Sequence, residues 1–302
     1  MLEIWKKAFL HLANRHFFDF MDDKRFLEIY WECVYNRKLN LKNPKSFNEK
    51  LQWLKLYDRK PEYSIMVDKY EVKKYVSEII GEEHIIPTLG VWEKFEDLEF
   101  TKLPDQFVLK CTHDSGGLVI CRDKAKFSIN EEKKKIRKCL KHNYYLRGRE
   151  WPYKDVKPRI IAEQYMEEYG ENKIKSIENS KQSLIDYKFY CFNGVPRFLY
   201  VSEGLENHAT AKISFLSLDW SFMEFSRADF KSFEKLPPKP QNYSLMIEIA
   251  KNLSKHIPFI RVDLYEINGC VYFSELTFSP CSGMMPFKPE KYDYIIGSML
   301  KI

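Results

Sequence analysis

The 302-residue sequence predicts an α+β protein in which helices come first and antiparallel strand pairs follow. Residues 1–60 have the apolar spacing of helices, whereas the chain beyond residue 100 contains many short apolar runs of strand length. Asn-Gly dipeptides at 193–194 and 268–269 separate pairs of such runs, which predicts hairpins. These strands are too numerous for a helical bundle, so both kinds of element are expected to share one fold.

The first elements are helices with recognisable ends. An Asn-Pro pair at 43–44 ends one helix, and the capping-box pattern Ser46-x-x-Glu49 begins the next. The apolar residues expected on its core face are Phe47, Leu51 and Leu54. A further helix is expected from about 68 to 80, stopped by Gly81.

The remainder of the chain alternates between short apolar runs and polar segments. Strands are expected at 106–111, 118–123, 158–166, 186–192, 196–201, 260–267 and 270–276, and helices at about 129–143 and 243–256. The polar stretch at 167–183 has no periodicity and is expected to be a loop.

Composition narrows the class of protein. The net charge of +6 is spread along the chain and not gathered on one face, which disfavours a nucleic-acid-binding protein. No apolar run reaches eighteen residues, and the N-terminus lacks the pattern of a signal peptide, so a cytoplasmic protein is expected. The seven cysteines are scattered without a CxxC pair and are expected to be free, mostly buried thiols.

Four polar side chains alternate along the last predicted hairpin. Arg261 and Asp263 share one strand face, as do Glu275 and Thr277. A two-residue Asn-Gly turn would pair 263 with 274, whereas a three-residue loop or one bulge would pair 263 with Glu275. In the second case the oxygens suit magnesium that also holds phosphates, and Arg261 suits a transferring phosphoryl group. The alternative is an ordinary hairpin with salt bridges on its solvent face.

A lysine ends the apolar strand before a glycine loop. Burying the charge of Lys110 is costly unless it meets an anion or points to solvent. Glycines let backbone amides approach phosphate oxygens, and hydroxyl side chains add donors. The loop residues are Thr112, His113, Asp114, Ser115, Gly116 and Gly117. An ordinary hairpin turn has the same composition, so that alternative stays open.

Two further lysines are candidates for phosphate contacts. Lys69 lies near a helix start, where a surface lysine is the alternative. Lys188 shares a strand face with Asp186; the carboxylate suits ribose hydroxyls and the ammonium suits phosphates, unless the pair is solvent-exposed.

In this order the motifs resemble the ATP-grasp superfamily, and within it the TupA-like (teichuronopeptide-biosynthesis) branch found with bacterial surface-polysaccharide genes. The family's first lysine follows an aspartate at a helix start, as in Asp68-Lys69, and its second precedes a flexible glycine loop, as Lys110 does. Its hinge strand ends in a glutamate, and the backbone of the residues that follow binds the adenine. The matching residues are Glu163, Gln164, Tyr165 and Met166, and the ribose-binding acid matches Asp186.

The closing hairpin of the family carries Arg-x-Asp and then Glu-x-Asn. Here the corresponding residues are Arg261-Val-Asp263 and Glu275-Leu-Thr277, so a threonine replaces the asparagine. The texts KSFNEKLQWLKLYDR and DYKFYCFNG, with ENH at 206–208 and LDW at 218–220, resemble the TupA-like branch. The resemblance covers about residues 43–302.

The resemblance implies an ATP-grasp fold in which two antiparallel α+β subdomains clasp ATP behind an N-terminal helical segment, residues 1–65. The ATP-grasp domain would occupy 66–302. It would consist of a lead-in at 66–105, a lid subdomain with the glycine loop at 106–184, and a metal-binding subdomain at 185–302.

The resemblance also implies an ATP-dependent carboxylate–amine ligase that forms an amide through an acyl phosphate. The implied carboxylate is a uronic acid, such as glucuronic acid, of a bacterial capsular or other surface polysaccharide or of its nucleotide-sugar precursor. The amine would be an amino acid or small amino alcohol, with or without a phosphate. The alternatives are a sugar phosphotransferase, a polysaccharide glycosyltransferase, and a scaffold with an inactive nucleotide site.

The implied roles divide the candidate residues into three groups. Arg261 would stabilise the transferring phosphoryl group, and His208 is a candidate base. Magnesium would be held by Asp263, Glu275 and Thr277. The residues expected to bind ATP are Lys69, Lys110, His113, Ser115, Gly116, Gly117, Glu163, Gln164, Tyr165, Met166, Asp186 and Lys188.

Overall fold

The structure is a computed structural model that describes residues 2–168, 184–205 and 209–302. Its helices are α1 (Leu2–Ala13), α2 (Asp23–Tyr35), α3 (Phe47–Tyr57), α4 (Glu62–Val67), α5 (Glu71–Ile80), α6 (Ile129–Leu140), α7 (Tyr144–Gly148), α8 (Tyr243–Leu253) and α9 (Lys291–Met299). Its strands are β1 (Thr88–Trp92), β2 (Phe107–Cys111), β3 (Leu118–Cys121), β4 (Ile160–Gln164), β5 (Asp186–Phe192), β6 (Val195–Glu203), β7 (Lys212–Ser217), β8 (Ser226–Arg227), β9 (Phe259–Ile267), β10 (Cys270–Thr277) and β11 (Phe287–Lys288).

The predicted helix and strand segments are present with small differences at their ends. The capping box is formed at α3, where Ser46 Oγ accepts from the Glu49 amide and Glu49 accepts from the Ser46 amide. The helix expected at 68–80 is α5, which begins at Glu71 and stops at Gly81 as predicted; the short helix α4 precedes it. The sequence pattern did not indicate the strands β1, β7, β8 and β11 or the helices α7 and α9. Most of the polar stretch at 167–183 lies outside the described residues.

The first sheet has four antiparallel strands in the order β1-β4-β2-β3. Its register places Val108 of β2 opposite Glu163 of β4, and Lys110 opposite Ile161. The strand β1 joins this sheet although it lies in the segment predicted as a lead-in. Helix α6 covers one face, where Ile136 packs in a core that includes Phe107 and Leu109.

The second sheet has five antiparallel strands in the order β10-β9-β5-β6-β7, and both faces of its central strands are covered. In β5 the odd positions, such as Phe189, pack in a core with α8, whereas Tyr190 and Phe192 pack in an aromatic core with α3 and α9. Asp186 and Lys188 are also at even positions, so they lie on the same face of β5 as Tyr190 and Phe192. The charged residues therefore lie at one end of the aromatic face.

The N-terminal helices form a smaller core and are joined to the rest of the chain by ion pairs of the half-buried Asp23. Phe26 and Leu27 of α2 pack in that core with Phe9 of α1. Asp23 accepts from Arg59 Nη2 at 2.6 Å, and Arg149 Nη1 lies 3.8 Å from the same carboxylate. This contact ties α2 both to the end of α3 and to the segment after α7.

The structure also bears on membrane-spanning helices and on the state of the cysteines. Among the described residues, none of the helices is long and apolar enough to cross a bilayer. All seven cysteines are free thiols; Cys33, Cys111, Cys121 and Cys191 are buried, and Cys270 and Cys281 are exposed.

Candidate functional site

Glu163, at the end of β4, receives two lysine side chains. Lys110 Nζ of β2 lies 2.6 Å from Glu163 Oε2, and Lys73 Nζ of α5 lies 2.5 Å from Oε1. Lys73 also donates to the backbone oxygen of Ile86 at 2.7 Å and to Thr88 Oγ1 at 3.0 Å. Two ammonium groups are thus concentrated where the four-stranded sheet meets α5.

The electrostatics of this cluster favour the ionised carboxylate. Burial alone would raise the pKa of Glu163, but the charges of Lys110 and Lys73 outweigh it and hold the pKa at about 2. Burial also lowers the pKa of Lys73, against the attraction of Glu163. An anionic ligand that approached the lysines would compete with Glu163 for both ammonium groups.

Lys73 is a residue that the sequence interpretation missed. It follows Lys69 by four positions within the helix predicted at 68–80. In a helix this spacing places two side chains on the same side. Lys69 itself donates from Nζ to the backbone oxygen of Asp114 and from its amide to Thr112 O at 3.1 Å. The predicted first lysine is therefore in contact with the predicted glycine loop.

The glycine loop is organised by the side chain of Asp114. Its Oδ1 accepts from the amides of Gly117 at 3.0 Å and of Gly116 at 3.3 Å. Ser115 Oγ donates to the hydroxyl of Tyr144 at 3.1 Å. The loop is thus held by Asp114 within itself and by Tyr144 from outside. Its residue Ser115 lines a cavity next to the last hairpin.

His113 was predicted to bind nucleotide, and its ring is buried against the end of α6. Its Nε2 lies 3.2 Å from Cys139 O and 3.1 Å from His142 O. A ring nitrogen that faces a carbonyl oxygen is a donor, so this contact favours a proton on Nε2. A nucleotide contact of His113 stays a prediction.

The last hairpin has a two-residue turn at 268–269 and a bulge at Ser274. The bulge, not a three-residue loop, brings Asp263 opposite Glu275. Arg261 lies opposite Thr277, and Lys188 of β5 lies opposite Asp263 on its other side. The one-bulge register that the sequence left open is the observed one.

The side chains of this hairpin form one connected network. Arg261 donates from Nε to Asp263 Oδ1 at 2.7 Å and from Nη2 to Oδ2 at 2.6 Å. Its Nη2 also lies 3.0 Å from Glu275 Oε1 and 3.0 Å from Thr277 Oγ1. Lys188 Nζ bridges Asp263 Oδ2 at 2.7 Å and Asp186 Oδ1 at 3.0 Å. The alternative of a solvent-facing hairpin does not describe this site, because Asp263 is fully buried.

The network holds its two hairpin carboxylates in different environments. Burial raises the pKa of Asp263 against the attraction of Arg261 and Lys188. Burial also acts to raise the pKa of Glu275, but Lys188, Arg261 and Lys69 together lower it to about 2. Glu275 is the more accessible of the two, with 37% of its side chain exposed.

The donor set is that of a hard divalent cation such as Mg²⁺, which prefers carboxylate and hydroxyl oxygens. Glu275 and Thr277 line an open cavity and offer such oxygens. Both oxygens of Asp263 accept from Arg261 or Lys188, so its share in a metal site requires those cations to be displaced. The set therefore fits magnesium most directly through Glu275 and Thr277.

The residues predicted to bind the adenine and ribose lie at or beyond strand ends, one group after β4 of the first sheet and Asp186 at the start of β5 of the second. Gln164 ends β4 and is exposed, and Tyr165 and Met166 follow it as half-buried residues. Asp186 begins β5 and is nearly buried, in contact with Lys188. His208, the candidate base, lies outside the described residues.

A cavity of about 400 Å³ adjoins the hairpin network. Its walls come from α2, α3, the glycine loop, the α7 region and the segment after β10. Its lining residues include Leu27, Tyr30, Lys55, Glu150, Glu275 and Ser282. Sequence reasoning did not indicate Glu150, because its neighbours in the cavity come from distant parts of the chain.

Comparison with known proteins gives one family match. A family model described as TupA-like ATPgrasp matches residues 49–301. Comparison with curated proteins gives no match.

Solved structures of ligases resemble the chain at low identity. D-alanine–D-alanine ligase from Bacillus anthracis, complexed with ATP, shares 15% identity with a TM-score of 0.39, over 71% of this chain and 55% of that chain. The Helicobacter pylori ligase of the same name shares 15% identity with a TM-score of 0.44, over 85% and 70%. Phosphoribosylamine–glycine ligase from Thermotoga maritima shares 14% identity with a TM-score of 0.42, over 74% and 51%.

The family model alone decides the assignment, because it spans most of the chain while these structural likenesses are weak. Its match contains the candidate residues of the β2 loop, of β4 and of the last hairpin. The two antiparallel sheets are those that the ATP-grasp resemblance implied. The chain belongs to the TupA-like ATP-grasp family.

Proposed function

We propose that this chain is an ATP-dependent carboxylate–amine ligase that activates a uronic acid of a surface polysaccharide, or of its nucleotide-sugar precursor, as an acyl phosphate. The observation that carries the proposal is the arrangement around the last hairpin. Arg261, Glu275 and Thr277 line one cavity with Ser115 of the glycine loop. A guanidinium suited to phosphate and oxygens suited to a metal ion therefore border the space in which a substrate carboxylate would be held.

The lysines supply positive charge for the phosphates of ATP. Lys110 and Lys73 already converge on one carboxylate, and Lys69 reaches the glycine loop. ATP carries several negative charges, and ammonium groups held in a partly buried site interact with it more strongly than they would in water. Lys69, Lys110 and Lys73 therefore bind and orient the triphosphate.

Glu275 and Thr277, with Asp263, would hold magnesium, which neutralises phosphate charge when it is bound. Arg261 is the protein group best placed to interact with the transferring phosphoryl group, because its guanidinium carries a permanent charge beside these oxygens. The glycine loop would exclude water from the acyl phosphate, which water would otherwise hydrolyse.

The chemical sequence has two steps. A substrate carboxylate oxygen attacks the γ-phosphorus, and the bond between that phosphorus and the bridging oxygen of ADP breaks. An amine then attacks the acyl carbon, an amide C–N bond forms, and phosphate leaves. The protein contributes mainly positioning and fixed charge in both steps.

The proposal is tested with purified protein, ATP, Mg²⁺ and UDP-glucuronate in the presence of ethanolamine or glycine. The expected result is ADP release that requires all components, together with an amide detected by mass spectrometry. A phosphorylated sugar would indicate a phosphotransferase and contradict the proposal. Release of UDP without consumption of ATP would indicate a glycosyltransferase.

The nucleotide site is tested first by ATP binding to Lys110→Met. Removal of one ammonium from the phosphate site is expected to weaken Mg-ATP binding at least about tenfold, the effect of roughly 1.4 kcal/mol. Lys102→Met is the matched control, because Lys102 is exposed outside the proposed site. Equal ATP affinity in both variants would contradict the role of Lys110.

A further inference from the structure

The cavity beside the hairpin is built partly by the N-terminal helices. Leu27 and Tyr30 of α2 line one wall, and they precede residue 49, where the family match begins. The opposite wall contains Glu275 and Thr277. At about 400 Å³ the cavity falls in the size range of small-molecule sites. A molecule held there would lie between the N-terminal segment and the proposed phosphoryl-transfer site.

Glu150 is the cavity carboxylate that the two steps above leave without a role. It is only 4% exposed, and its Oε1 accepts from Ser282 Oγ at 2.6 Å. A carboxylate accepts several hydrogen bonds, so a bound ammonium group adds to the contact from Ser282 and does not replace it. Burial raises the pKa of Glu150, against the attraction of Lys55, which makes this carboxylate a better proton acceptor than one in water.

Lys55 is a further buried ionisable group of the cavity, and its contacts identify it as structural. Its Nζ donates to Ser282 O at 2.6 Å, Gly148 O at 2.8 Å and Gln52 Oε1 at 2.8 Å. An ammonium group has three protons, and all three are donated to oxygen atoms. Although burial lowers the pKa of Lys55 to about 8, loss of a proton would break one of these contacts.

The wall that carries Ser282 has an unusual backbone. Cys281 and Ser282 both adopt left-handed conformations, with φ of 53° and 52°. Consecutive left-handed residues other than glycine cost energy and persist only where surrounding contacts fix them. Gln52 Nε2 and Lys55 Nζ supply such contacts by donating to Ser282 O. The hydroxyl of Ser282 is thereby held against Glu150.

We propose that this cavity is the amine subsite of the ligase, in which Glu150 binds the substrate ammonium group and accepts its proton before attack. The inference rests on the proposed function and extends it to the second substrate. Arg261 and Lys55 are cations that would repel an ammonium group, and Glu275 is assigned to magnesium. Glu150 is therefore the cavity group suited to a positively charged occupant.

The proton balance of the step is complete. The ammonium transfers one proton to Glu150 and becomes a neutral amine, whose lone pair attacks the acyl carbon. The C–N bond forms, the C–O bond to phosphate breaks, and the departing phosphate takes the second amine proton. Glu150 then releases its proton to solvent, so the net products are an amide, hydrogen phosphate and one proton.

The test compares two nucleophiles for the same acyl phosphate. The full-length protein is supplied with ATP, Mg²⁺ and UDP-glucuronate, and with either hydroxylamine or the probe amines ethanolamine and glycine. Hydroxylamine is largely uncharged at neutral pH, so its attack to give a hydroxamate needs no base. Glu150→Gln is expected to slow amide formation about 100-fold while the hydroxamate rate stays unchanged. Glu248→Gln makes the same chemical change at an exposed carboxylate on α8 and should alter neither rate.

The remaining outcomes contradict either the amine subsite or the acyl-phosphate step. Equal loss of both products in Glu150→Gln would assign Glu150 a structural role and overturn the inference, as would an unchanged amide rate. Wild-type protein that forms hydroxamate but no amide from either amine would contradict a subsite for small primary ammonium groups. Absence of hydroxamate in the wild type would instead contradict the acyl-phosphate step of the proposed function.

A second variant tests the N-terminal wall without changing a charge. Tyr30→Ala is expected to raise KM for the amine more than it lowers kcat, and to leave hydroxamate formation unchanged. Lys24→Ala is the control, since Lys24 is exposed on the same helix. Identical amine KM values for wild type, Tyr30→Ala and Lys24→Ala would exclude α2 from the amine subsite.

Discussion

At the scale of single residues, Glu163 shows how charge pairing overcomes burial. It is only 5% exposed, yet the two lysines that contact it keep it ionised. Its pKa of about 2 in the folded protein lies below the value of 4.5 for an unperturbed glutamate. Its contribution to stability is therefore present above about pH 4.5 and is lost as the pH falls toward 2.

We expect Glu163→Gln to lower the free energy of unfolding at neutral pH by an amount on the order of 2 kcal/mol. The full pKa shift of Glu163 corresponds to more than this, but the lowered pKa of Lys73 offsets part of it. Urea unfolding of wild type and variant across the acidic range measures the difference. The difference should shrink progressively below about pH 4.5, because the carboxyl of the unfolded chain then takes up a proton while the folded carboxylate stays ionised down to about pH 2.

Glu131→Gln serves as the control, because Glu131 is exposed at the start of α6. Its effect should be small at every pH. A difference between wild type and Glu163→Gln that stayed constant through the acidic range would show that Glu163 acts through packing and not through charge.

At the scale of elements, the register of β10 beyond Ser274 decides whether the hairpin can act as a site. Removing Ser274 leaves a two-residue turn and a regular ladder in which Asp263 still pairs with Glu275. We expect the protein with Ser274 deleted to keep Mg-ATP binding, which isothermal titration calorimetry would measure. The local loss of the contact between Ser274 and Tyr265 should cost stability only modestly.

Insertion of one alanine after Ser274 is the comparison variant, since it adds a residue where the deletion removes one. With the bulge at Ser274 kept, the inserted alanine lies opposite Asp263 and Glu275 moves opposite Val262, on the other face, since a one-residue slip reverses every side chain beyond it. Mg-ATP binding should be lost or greatly weakened. If the insertion bound Mg-ATP as well as the deletion did, the register of β10 would not control the site.

At the scale of the whole molecule, the ion pairs of Asp23 couple the N-terminal helices to the ATP-grasp domain. Asp23 of α2 contacts Arg59, Arg149 and the hydroxyl of Tyr145. Arg149 is only 2% exposed, and its guanidinium also lies 4.5 Å from the ring centre of Phe26. Removal of the carboxylate would leave a buried charge without its main anion.

We expect Asp23→Ala to destabilise the protein by about 3 kcal/mol, because it leaves the buried guanidinium of Arg149 without a counter-charge. Limited proteolysis should also cleave the N-terminal segment faster, because the lost contacts join α2 to the remainder of the chain. Asp19→Ala provides the control, as Asp19 is exposed before α2. Equal stability and equal cleavage rates in the two variants would contradict the coupling.

Much of the fold follows from local signals in the sequence. The capping box at Ser46, the stop at Gly81 and the Asn-Gly turns depend on neighbouring residues, and each is present. The strands β7 and β8 were not indicated, because their pairing partners lie elsewhere in the chain. The order of motifs was enough to identify the family, since it does not require any distance to be known.

The sequence by itself determined which residues alternate on a strand and which cap a helix, because these relations are fixed by backbone periodicity. Only the tertiary structure decided that Lys73 shares Glu163 with Lys110, and that Asp263 faces Glu275 through a bulge. It also decided that Glu150 meets α2 across a cavity. Such contacts join distant segments, and packing and loop geometry set them, which no local pattern encodes.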